Sequence, residues 1–270
     1  MRVEVADRYV VNELLRILPT VVSRWNFAKT LFVTEVRSLL VRLFAGPKPR
    51  LVEFVLDPDV AEREVGPLAL VAEGVADHRA STIRFFPRET ISDVTVVHEY
   101  VHFTCRELYM RDLELIASYL VEELRREVAR SINVQDVEDS LRANFTYLDE
   151  ALTQLAERDI TGTAVHGVGI IEALAGALAR DLSIVTLPWR LVMAVGRGLA
   201  RYYTARVRPY VLSVIDYTFF ISVRDYLTRL LRALATFAQA VCRGDPTAVK
   251  TRLAQLLQAL SPCSADLSNV

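Results

Sequence analysis

Two histidines and a glutamate stand in one short run, Val97-His98-Glu99-Tyr100-Val101-His102-Phe103. The run admits few local conformations if its polar groups are to act together. A spacing of four puts His98 and His102 on one face of an α-helix, about one turn apart, whereas a strand would also separate them by four residues but about 13 Å. The flanking residues favour the helix. Val94, Val97, Val101 and Leu108 form an apolar stripe at helical spacing, and Ser92 or Asp93 is placed to cap the free amides at its start.

On such a helix the two imidazoles are aligned to share a metal ion, and Glu99 projects to the side, where it can take a proton from water acidified by that ion. Zinc is the expected ion. A catalytic zinc takes three protein ligands, so a third lies elsewhere. Phe103-Thr104-Cys105-Arg106-Glu107 contains neither a glycine nor a histidine, which excludes a third histidine close behind His102. Cys105, one turn on, reads as a small buried side chain.

The remaining candidates are carboxylates. Tyr147-Leu148-Asp149-Glu150-Ala151-Leu152 sets an acidic pair in an apolar helical frame, and Glu157 follows two turns later on the same face. Glu150 and Glu157 both stand as candidates, the apolar flank favouring Glu150, and Glu107 is too near His102 on its own helix.

From Ser81 to Asp159 the chain resembles the gluzincin superfamily of zinc metallopeptidases, the thermolysin-like and aminopeptidase-like group. His98, Glu99 and His102 match its first motif; Glu150, followed by small and apolar residues, resembles its second, after the 47 residues 103–149. The resemblance implies His98, His102 and Glu150 as ligands to Zn²⁺, Glu99 as general base, and a peptide or protein substrate. It also implies that a strand beside the active helix, here Ser81–Phe86, holds an extended peptide along an edge. Asp149 and Gln154 stand where thermolysin-like enzymes carry Asn before the glutamate and Asp four residues after it. Asp149 is thus one candidate to orient an imidazole, a solvent-facing position being the other. The family's oxyanion donor, a Tyr or His beyond the third ligand, has His166, Tyr202, Tyr203, Tyr210 and Tyr217 as candidates here. The alternative function is a non-catalytic zinc-binding protein that serves as a partner- or membrane-binding module.

The rest of the chain predicts an α+β fold that is predominantly α. Residues 8–45 read as two helices parted at Pro19. Leu51–Leu56, Leu68–Ala72 and Ser81–Phe86 read as strands of a small sheet. Leu113–Val128 and Val137–Glu157 read as helices with a break at Ser131–Asp136. Helices continue to the end, with Pro188, Pro209 and Gly244-Asp245-Pro246 as punctuation. The expected segments are 1–50, N-terminal helices; 51–160, a zincin-like core; and 161–270, a helical C-terminal subdomain.

With 32 basic against 33 acidic residues the net charge is −1, which offers no field for nucleic acid. Charges at Glu172, Arg180, Asp181, Arg190, Arg197 and Arg201 interrupt the apolar C-terminal helices before the roughly 18 uncharged residues that a membrane span needs. Membrane association is therefore not favoured. Three cysteines at unrelated spacings, and an N-terminus without a basic-then-apolar run, lead to the expectation of a cytoplasmic protein.

Overall fold

The computed structural model describes residues 36, 38–55, 63, 72–86, 92–128, 131–163 and 169–260. The fold is α+β and predominantly helical, with one small mixed sheet among the described residues. The sheet contains β1 (Leu51–Phe54), β2 (Gly74–Asp77) and β3 (Thr82–Phe85) in the order β1-β3-β2. β1 runs parallel to β3 with Leu51 opposite Thr82, and β2 runs antiparallel to it with Gly74 opposite Phe85. The strand expected over Ser81–Phe86 is thus the middle one, and β1 and β2 are the outer ones among the described residues. β2 and β3 pair because the chain turns tightly between them: Asp77 Oδ1 accepts the amide of Ala80 at 3.0 Å. Ile83 and Phe85 are fully buried, as their apolar character demands.

The helices are α1 (Asp93–Arg111), α2 (Leu113–Glu127), α3 (Val134–Ala143), α4 (Phe145–Thr161), α5 (Gly169–Asp181), α6 (Pro188–Tyr202), α7 (Arg208–Val214), α8 (Tyr217–Arg243) and α9 (Pro246–Leu260). A π-helical turn, Tyr203–Val207, joins α6 to α7. Pro209 lacks the amide that would continue an ordinary ladder, and the Arg208 amide reaches back to the Tyr203 carbonyl instead. Asp245 caps α9, its Oδ1 accepting the amides of Thr247 and Ala248 at 2.9 and 3.1 Å.

The single helix expected over Val137–Glu157 is two. At Asn144 the backbone leaves helical geometry, and the side-chain amide donates at 2.8 Å both to the Ser140 carbonyl and to Asp181 Oδ2. A short polar side chain that bonds its own backbone competes with the helix ladder. The break before α3 is also shorter than Ser131–Asp136: Asn133 Oδ1 accepts the Gln135 amide at 3.1 Å and starts α3 at Val134. The helix expected over residues 8–18, most of the strand expected at Leu68–Ala72, and His166 lie outside the described residues.

The chain divides into two compact units, residues 1–99 with 216–270 and residues 100–215, and the boundary falls inside the uninterrupted helix α1. In the first unit, Leu40, Leu43, Ile83, Phe85, Val97 and Phe220 are among the buried apolar side chains. Asp93, at the start of α1, accepts from Arg224 Nε at 2.6 Å and from Thr228 Oγ1 at 3.0 Å on α8. In the second unit α2 packs on α6 so closely that a Cβ at Gly198 would meet Leu120 Cδ2 at 2.7 Å. No described helix is long and apolar enough to cross a membrane.

Candidate metal centre

α1 carries both histidines on one continuous stretch of helix, so their alignment follows from its period alone. His98 is half-buried; Glu99 and His102 are buried. The backbone of β2 passes close beside the Glu99 side chain at Gly74. A Cβ built at Gly74 would lie 2.6 Å from Glu99 Cγ and 3.0 Å from its Cδ and Oε1. Only glycine lets the strand approach the carboxylate this closely.

α4 supplies the other half. Asp149 and Glu150 are neighbours and therefore point about 100° apart around the helix, yet both address His102, one at each ring nitrogen. Asp149 Oδ1 lies 3.1 Å from Nδ1, and Glu150 Oε1 lies 3.3 Å from Nε2. Thr153, one turn after Asp149, brings Oγ1 to 3.3 Å from the same Nδ1. The His102 ring thus lies between two carboxylates, one facing each nitrogen, with Thr153 in hydrogen-bond reach of Nδ1.

His98, His102 and Glu150 each offer a ligand atom, and the three atoms lie within 4.8 Å of one another. This cluster can hold a metal ion. Two imidazole nitrogens and a carboxylate oxygen are a donor set suited to a borderline divalent ion. Ligands about 2.0–2.1 Å from a tetrahedral ion stand about 3.3–3.4 Å apart, and the His102 Nε2 to Glu150 Oε1 separation of 3.3 Å falls in that range. All three ligands are half-buried or only just buried, so the cluster retains access to solvent.

The surrounding charges explain the proton balance. Burial alone would lower the basicity of His102, but the hydrogen bonds and charges of Asp149 and Glu150 outweigh it and hold the imidazole well above its usual value. A divalent ion at Nε2 would satisfy the same two carboxylates. Burial pushes the Cys105 thiol up to about 11, so this fully buried cysteine stays protonated and is no ready ligand or nucleophile. Burial likewise raises Tyr109, four residues along the same helix.

The other sequence candidates lie elsewhere or are engaged. Glu157 is fully buried and is not part of the three-residue cluster. Tyr202 donates to Asp112 Oδ2 at 3.2 Å, Tyr203 to Asp159 Oδ2 at 2.8 Å, and Tyr210 to the Thr104 carbonyl at 3.3 Å. Each spends its proton on a structural acceptor. Tyr217 is largely exposed, and His78 sits half-buried in the turn between β2 and β3. Sequence reasoning missed Gly74, Thr153 and Arg106 as neighbours of the ligands. Of these, Thr153 and Arg106 had a local signal, standing one turn from Asp149 and from His102 on their own helices; Gly74 had none.

No family model, no curated protein and no solved structure matches the chain.

Proposed function

We propose that the chain is a zinc-dependent peptide hydrolase of gluzincin type. The observation that carries this reading is the meeting of His98 and His102 from one helix with Glu150 from another, with Glu99 placed between the two histidines in sequence. Two histidines and a carboxylate also suit other divalent ions. The intervening glutamate, buried and close beside Gly74, favours hydrolysis with zinc.

His98, His102 and Glu150 would hold Zn²⁺, which supplies Lewis acidity that polarises a carbonyl and acidifies water. The chain's own groups do the rest. Glu99 takes the proton from the attacking water and returns it to the leaving amine, so one carboxylate serves as base and then as acid. Asp149 and Thr153 orient the ring of His102 by its outer nitrogen, and Gly74 leaves the Glu99 side chain the space that a Cβ would occupy. A substrate in extended conformation has a natural seat along β2, which among the described residues is an outer strand and is the one whose Gly74 lies beside Glu99. There, main-chain hydrogen bonds supply affinity without demanding a particular side chain. The peptide-holding strand is therefore β2, in place of the Ser81–Phe86 segment.

The test is hydrolysis of an unstructured peptide library by purified protein, its loss on chelation, and its loss in Glu99→Gln. A metal-loaded wild type that cleaves nothing removes the catalytic reading and leaves a zinc-binding module.

A further inference from the structure

We propose that Arg106 is a positioning residue for the metal centre, locking Asp149 in the orientation that aims His102 Nε2 at Glu150. This inference rests on the metal-site reading above. Arg106 stands one turn beyond His102 on α1, so both partners of Asp149 come from one helix: His102 Nδ1 at 3.1 Å from Oδ1, and Arg106 Nη1 at 2.9 Å from Oδ2. The carboxylate is buried; Oδ2 accepts from Arg106 while Oδ1 faces the imidazole as a charge partner.

α4 grips the pair with a stripe of three residues at a spacing of four. Phe145 lies under the Arg106 guanidinium, 5.0 Å from its carbon to the ring centroid. Asp149 takes the guanidinium and the imidazole, and Thr153 touches the imidazole again. The stripe aligns α1 with α4 where the ligands are. The Arg106 side chain is 41% exposed, so its charge remains partly hydrated while its fork reaches inward. With Arg106 truncated, Asp149 Oδ2 would be buried without its cation, and the carboxylate would turn away from Nδ1 to regain one. His102 would then lose the charged partner that faces its Nδ1 and orients its ring. Outer partners of metal-bound histidines commonly contribute about 10–100-fold in metal affinity.

The experiment compares wild type, Arg106→Ala, Arg106→Lys and Asp149→Asn after metal removal. It measures Zn²⁺ affinity by competition with a chromophoric chelator, the visible spectrum with Co²⁺ in place of Zn²⁺, and thermal unfolding in excess chelator. The expected result is an affinity about 10–100-fold weaker in Arg106→Ala and Asp149→Asn, with an altered Co²⁺ spectrum. Arg106→Lys, which keeps the charge, recovers part of both. Wild-type affinity and spectrum in Arg106→Ala would overturn the positioning role while leaving the metal site standing. A wild type that binds neither ion would overturn the metal site and this role with it. Arg106→Lys behaving as Arg106→Ala, with affinity falling only in step with the stability of the chelated protein, would reduce the contact to packing. If Arg106→Ala does not fold, the Lys variant decides.

Discussion

Glu150 Oε1 and His102 Nε2 stand 3.3 Å apart, while the preceding residue, Asp149, occupies the other nitrogen of the same ring. Two adjacent carboxylates thus divide one imidazole between them, and their roles are not interchangeable. Glu150→Ala should weaken zinc binding by more than the about 10–100-fold expected for an outer partner. Glu157→Ala should keep the zinc and lose stability instead, by about 1–3 kcal/mol for disturbing a buried polar group. Elemental analysis and chelator competition on both variants decide, and also identify the ion. Greater zinc loss in Glu157→Ala would move the third ligand there.

Glu99→Gln should keep both fold and metal yet lose about 10²–10⁴-fold in peptide hydrolysis. The amide preserves the shape beside Gly74 but accepts no proton from water. Turnover equal to wild type, on a peptide the wild type cleaves, would remove Glu99 from the mechanism.

Gly74→Ala should lower turnover on the order of 10²-fold, because a displacement of about 1 Å at a reacting group can cost that much. The added methyl would lie 2.6 Å from Glu99 Cγ, so the side chain must swing aside. Zinc content should not change, since neither residue is a ligand. Steady-state kinetics beside metal analysis checks both halves. Normal kcat would show that Glu99 acts from another rotamer.

How much of this was legible in the chain depends on the range of each interaction. The helix bearing His98 and His102 follows from a period of four, and the cap of α9 from the single residue Asp245. The α+β balance follows from the apolar periodicities. Asp149 could be read as either an orienting or a solvent-facing residue, because the helical period says nothing about which helix lies opposite. The contact that decides it spans 47 positions, from 102 to 149. The position of β3 at the centre of the sheet depends on pairing between strands, which alternation within a strand does not encode. Gly74 shows the same limit: its use lies in a contact 25 residues away, with Glu99.

Glu123, 2% exposed on α2, gathers three arginines: Arg126 Nη1 at 2.8 Å and Arg201 Nη1 at 3.1 Å on one oxygen, and Arg197 Nε at 2.9 Å on the other. The hydrogen bond from Arg197, with smaller contributions from Arg201 and Arg126 against the cost of burial, lowers its carboxyl below the usual value of 4.5. A carboxyl depressed on folding stabilises the folded state at pH values above its unfolded pKa, and that stabilisation disappears as pH falls through the folded pKa. Glu123→Gln, studied with excess chelator so that metal plays no part, should therefore lose about 1.5–3 kcal/mol at pH 7, the usual contribution of a charged hydrogen bond. The gap to wild type should narrow below about pH 4.3 and close once Glu123 is protonated. Denaturant unfolding across that range measures it. A gap that stays constant to low pH would mean that the three arginines stabilise α2 against α6 by packing and not by the charge they surround.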